Sequence, residues 1–123
     1  MLKGYPAAIE CTESLRKQGA VFYTSTINLY EVICGIKNLP RDSERHSEAL
    51  QLLTSRVHVL NFDSEAAMKG ADIKHQLRVL GKPIGGIDYL IAASACSNGI
   101  DMMVSQNKKH FENIKEIKQV LTY

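Results

Sequence analysis

The 123-residue chain lacks any apolar run of 18 residues and any opening segment that joins a basic stretch to an apolar one. No membrane-spanning helix and no secretory signal is therefore expected, and the expected location is cytoplasmic. Cysteine is scarce. Cys11, Cys34 and Cys96 are odd in number, widely spaced and free of any CxxC pattern. That excludes a disulfide framework and points to free thiols in a reducing compartment, with Cys34 and Cys96 expected to face the core from helices. His46, His58, His75 and His110 spell no HxxxH and no Cys/His pairing, so no zinc motif is present. Charge of one sign is also scarce: a net charge of +2 permits a nucleic-acid partner without arguing for one. Repeats, low-complexity tracts and linker-like segments are missing, so residues 1–123 are expected to form a single domain.

What is present is an alternation of helical and strand-like segments. Pro6 to Gln18 has helical spacing, with Gly19 as its stop. Ala20 to Ser25 is a strand-like run. Asn28 to Lys37 predicts a helix with Leu29, Val32, Ile33 and Ile36 on one face, broken at Leu39-Pro40. Asp42 to Arg56 predicts a further helix with Ala49, Leu50, Leu52 and Leu53 inward. Val57 to Phe62 alternates like a strand. Asp63 or Ser64 then caps a helix to Leu80, with Ala67, Gly70, Ala71, Lys74 and Leu77 in step. A loop over residues 81–86 leads to a helix from Asp88 to Cys96. Met102 to Val104 and Gln119 to Thr122 read as strands around a turn at Ser105-Gln106-Asn107 and a short helix from Lys108 to Asn113. Strands alternating with helices imply an α/β fold in three layers: one parallel sheet with helices on both faces. Ligands of such sheets sit beyond the carboxyl ends of the strands.

The chain is organised around residues 85–95, where Asp88 precedes the apolar, small-residue run Leu90, Ile91, Ala92, Ala93 and Ala95. An acid in a first helical turn is stabilised by the helix dipole by about 0.3–1 kcal/mol, which suffices as a structural explanation. The apolar run, however, suits a buried helix, and an acid at the mouth of a buried helix needs a cation or donor. Glu31 stands three residues after Asn28, the spacing of a capping box, and also in the turn that would face the cleft. Asn107 is either a turn residue or, with Ser105, a holder of a water at a metal. Lys108 and Lys109 either solvate a helix face or touch phosphate. Glu31 and Asp88 on one cleft would form an oxygen-ligand pair suited to Mg²⁺ or Mn²⁺, and the corresponding chemistry is phosphodiester hydrolysis by a metal-activated water.

Three blocks resemble the PIN-domain proteins of the VapC-type toxin class. Residues 24–36, TSTINLYEVICGI, are similar to the segment carrying that family's second acid, here Glu31. Residues 77–93, LRVLGKPIGGIDYLIAA, are similar to the segment carrying its third acid, here Asp88. Residues 104–111, VSQNKKHF, resemble the segment whose fourth position is Asp or Asn, here Asn107. The resemblance implies a Mg²⁺- or Mn²⁺-dependent endoribonuclease toxin acting on RNA, with Glu31 and Asp88 as metal ligands and Asn107 as a further catalytic position. Ser105, Lys108 and Lys109 are the RNA contacts that go with this reading. It also implies a small VapB-type antitoxin that blocks the site, a homodimer, and a PIN-like sheet. Two departures accompany it. Gly86 stands where the family often has an acid. Met1-Leu2-Lys3-Gly4 matches residues that follow the family's first catalytic Asp, so the central N-terminal strand and its acid are expected to be missing from this chain. The alternative expectation is a catalytically inactive PIN remnant that retains antitoxin or partner binding.

Overall fold

The computed structural model describes residues 5–38, 40, 44, 48, 51, 55 and 57–122. The expected position of Met1–Gly4 and the inward residues Ala49, Leu50, Leu52 and Leu53 lie outside the described residues. The chain divides into two compact units, Met1–Val59 and Leu60–Tyr123.

In the first unit, α1 spans Tyr5–Lys17, β1 Tyr23–Ser25 and α2 Thr26–Lys37. Arg16 and Lys17 occupy the last turn of α1, where they complement the negative end of the helix. Gly19, at φ +89°, then turns the chain in the left-handed region that a residue with a Cβ rarely adopts. Strand β1 is shorter than the run that suggested it. It ends in Ser25, which is buried and caps α2: the Asn28 backbone N–H donates to Ser25 Oγ at 3.0 Å, and the Ser25 hydroxyl donates to Asn28 Oδ1 at 3.0 Å. Ser25, not Asn28, is therefore the N-cap, and α2 starts two residues earlier than expected. Ile36 is its buried anchor, with Leu29, Val32 and Ile33 half-buried on the same face. Glu44, Glu48, Gln51 and Ser55 are helical and exposed, one polar stripe of the helix expected over 42–56. Strand β2, His58–Leu60, pairs with β1. The His58 N–H donates to the Phe22 carbonyl at 3.0 Å, and the His58 ring lies 5.4 Å from that of Tyr23.

The second unit contains α3 (Ser64–Val79), α4 (Asp88–Cys96), β3 (Met102–Val104), α5 (Lys108–Phe111) and β4 (Gln119–Leu121). Asp63 caps α3, its carboxylate accepting from the Ala66 N–H at 2.9 Å. The buried face of α3 is Ala66, Gly70, Ile73 and Leu77. Of the residues in step along this helix, Ala67, Ala71 and Lys74 are exposed. The alanines and the lysine stem shifted the apparent stripe by one position, and the larger side chains Ile73 and Leu77 decide which face is buried.

Helix α3 packs on α4 through small residues. A Cβ built on Gly70 would stand 3.3 Å from the Cβ of Ala93. Around this contact Ile73, Leu77, Ala92, Ala93, Phe111, Ile114 and Ile117 form the core, with Tyr89, Cys96, Met103 and Val120 packed against it. Strands β3 and β4 pair in parallel with Met103 opposite Val120. Ladder bonds thus group the four described strands into two two-stranded sheets, β1-β2 and β3-β4. The parallel pairing expected from helix–strand alternation is present in β3-β4. Among the described residues, no helix is long and apolar enough to cross a membrane.

Candidate functional site

Leu80 closes α3, and the chain then turns at Gly81 into the loop leading to α4. The N–H groups of Gly81 and Lys82 donate to the carbonyls of Arg78 and Leu77 at 3.0 and 2.9 Å. Tyr89 ties the far side of the loop, its hydroxyl accepting from the Ile84 N–H at 3.1 Å, while Lys74 Nζ stands 5.8 Å from its ring centroid. Gly86 takes φ +52° just before the helix begins. Ile87 holds the N-cap position without any side-chain cap bond, so Asp88 starts α4 with its carboxylate free of a capping duty.

That carboxylate is the centre of the site. Its side chain is 24% exposed, and Oδ2 meets Nδ1 of His110. The acid thus has the partner that its position demands, and the partner is a histidine on α5 rather than either of the residues sequence reasoning offered. The contact spans 22 residues, beyond any helical spacing rule. The one available signal was the need of Asp88 for a donor, with His110 lying in the same block as Asn107.

Asn107 sits at the N-cap position of α5, but its side chain makes no cap bond. Its backbone N–H donates to Ser105 Oγ at 3.0 Å, so Ser105 shapes the turn and leaves the exposed Asn107 amide open to solvent. Lys108 and Lys109 follow on the same short helix, both exposed. Lys108 also lines a shallow groove with Glu112, Ile117, Lys118, Gln119 and Val120. The second unit therefore gathers Ser105, Asn107, Lys108, Lys109 and His110 on one turn and helix, with Asp88 joined to them through His110.

Glu31 belongs to the first unit. With Ser25 as the cap, α2 has no acid in its first turn, so the capping-box explanation of Glu31 is overturned. Its carboxylate is exposed and takes no hydrogen bond or ion pair among the described residues. Glu31 is thus an acid without a structural duty there.

The thiols divide differently from expectation. Cys34 is exposed, not core-facing. Cys96 packs against the core, and burial pushes its thiol up from 9.0 to about 11, with Glu116 adding to the rise and Lys69 opposing it.

Among the described residues no group of three or more His, Cys, Asp or Glu side chains is placed to hold a metal. The donors present fit a hard cation of a sparser kind. Mg²⁺ is commonly held by one or two carboxylates and completes its shell with water and substrate phosphate oxygens. Asp88, with one oxygen facing His110, matches that donor type.

The PIN-domain family model matches residues 1–117. The chain belongs to the PIN-domain family, in its VapC branch. It is 36% identical over 95 residues to a tRNA(fMet)-specific endonuclease VapC of Salmonella typhimurium, covering 76% of this chain and 70% of that one. Among solved structures, DNA-bound VapBC from Salmonella typhimurium matches with a TM-score of 0.67 at 32% identity, over 81% of this chain and 74% of that chain. VapBC2 from Rickettsia felis, bound to a promoter DNA fragment, matches with a TM-score of 0.76 at 22% identity, over 97% of this chain and 87% of that chain. The last match shows the fold, and the α/β PIN-like fold expected from the residues is the one found.

Proposed function

We propose that this chain is a VapC-type endoribonuclease toxin that hydrolyses RNA phosphodiester bonds with Mg²⁺ or Mn²⁺ and is held in check by a small VapB-type antitoxin. The observation that carries the reading is the PIN match over residues 1–117. Relatives described as a tRNA(fMet)-specific endonuclease and as VapBC complexes support its direction and make an initiator tRNA the first substrate to assay. The further expectations of a homodimer and a cytoplasmic location go with the same reading.

In this mechanism Asp88 would be a ligand of the cation; Glu31 is proposed as a metal ligand by the resemblance of residues 24–36 alone. A bound Mg²⁺ supplies Lewis acidity toward a phosphate oxygen and lowers the pKa of water. The remaining work falls to the chain's own side chains. Asn107, whose amide is free of capping, orients a phosphate oxygen or the attacking water through hydrogen bonds. Ser105 fixes the turn that presents that amide. Lys108 and Lys109 neutralise backbone phosphates and set the register of the RNA without reading its bases.

The test is cleavage of tRNA by the full chain with Mg²⁺, Mn²⁺ or chelator, with Asp88→Asn and Glu31→Gln alongside. Cleavage is expected to need the cation and to fall by at least about 100-fold in Asp88→Asn, the scale on which loss of one charge-stabilising group acts. Equal cleavage by the Asp88 variant removes that residue from the site. A wild-type chain that cuts no RNA yet still binds a VapB-type antitoxin would establish the inactive-remnant reading instead.

A further inference from the structure

The contact between His110 and Asp88 is the one feature of the site that neither spacing nor family blocks brought forward. It is made by packing. Phe111, next to His110 on α5, is 4% exposed and belongs to the core. Successive helical residues point about 100° apart, so burying Phe111 fixes where His110 is carried, and the contact of α5 with α4 carries it to the first turn of α4. His110 itself is 45% exposed, so the core does not require an imidazole at this position. The first turn of α4 already favours an anion, and any donor would satisfy the half-buried Asp88 carboxylate, so folding alone does not single out an imidazole. Lys108 and Lys109 stand nearby in sequence, yet only the histidine meets the carboxylate.

We propose that His110 is a positioning residue for Asp88: its Nδ1–H donates to Oδ2, fixes the plane of the carboxylate and leaves Oδ1 directed to the cation. This rests on the reading of Asp88 as a ligand of Mg²⁺ or Mn²⁺. Carboxylates that bind a metal are commonly held by a hydrogen bond of their own, and removing such a support costs roughly 10–100-fold in metal affinity. The opposite role, in which the histidine occupies Asp88 and competes with the cation, predicts the opposite sign.

The test is Mn²⁺ binding to the full chain in the absence of RNA, read from the free-Mn²⁺ electron paramagnetic resonance signal. The set is wild type, His110→Ala, His110→Asn and Asp88→Asn, with thermal midpoints measured in parallel. The asparagine amide nitrogen sits the same number of bonds from the backbone as Nδ1, so it can reproduce the donated bond. His110→Ala is expected to weaken Mn²⁺ binding about 10–100-fold with little change in midpoint, and His110→Asn to recover most of the loss. Unchanged or tighter binding in His110→Ala overturns the positioning role, as does equal weakening in the alanine and asparagine variants. Failure of the wild type to bind Mn²⁺, or undiminished binding by Asp88→Asn, overturns the metal reading and this proposal with it.

Discussion

Ser25 shows how much one hydroxyl does in this chain. It closes β1, caps α2 and trades hydrogen bonds with Asn28. Ser25→Ala removes the acceptor for the Asn28 N–H and is expected to cost about 0.5–2 kcal/mol, read as a lower denaturant midpoint. The cysteines make a second prediction at this scale. Exposed Cys34 should react with a thiol reagent near pH 8 well before Cys96, whose raised pKa of about 11 keeps it a thiol. The same shift has a sign in stability. The folded chain holds the Cys96 proton where the unfolded chain has begun to lose it. The contribution is therefore complete below 9.0 and is lost as pH rises through about 11. A Cys96→Ala chain should show a flatter decline of midpoint over that window, and an equal decline would refute the assignment.

Between α3 and α4 the fit depends on absent side-chain atoms. Gly70 allows Ala93 to approach so closely that even a methyl group would be tight. Gly70→Val adds two further carbons at this crossing and is expected to cost about 1–3 kcal/mol by overpacking, despite removing a glycine from a helix interior. Chemical denaturation measures it, and a neutral result would show that the helices part easily. The extents of the helices were legible in sequence because stop signals are local: Gly19 after α1, Asp63 before α3, and the turn at residues 97–99 after α4. The phase of α3 was not. Its alanines suit either face, and only the packing of Ile73 and Leu77 against α4 selects one. The same holds at α2, where the sequence pointed to Asn28 as the cap and the folded chain gives that place to Ser25 at the end of β1.

At the scale of the whole molecule, a net charge of +2 supplies little general attraction for a polyanion. On the proposed function, RNA affinity must come from local cations, and Lys108 and Lys109 are the pair beside Asn107. Substituting both by Ala should weaken binding uniformly across RNA sequences. It should also flatten the dependence of log affinity on log salt by about 0.7 for each single-strand phosphate no longer neutralised. An unchanged slope would place the RNA elsewhere. The observed organisation makes this a test of one unit, because Asn107, both lysines, His110 and Asp88 all lie within Leu60–Tyr123.

The sequence by itself determined the alternation of helices and strands, the Asp63 cap of α3, and the singular position of Asp88 ahead of an apolar helix. Each of these is written in neighbours a few residues apart, and helix capping, turns and amphipathic period act over that range. Tertiary structure alone decided the partner of Asp88. His110 reaches it across 22 residues because Phe111 is buried and α5 is pinned to α4. A contact made by packing two helices around a shared core depends on where the chain folds back, and no local pattern carries that information.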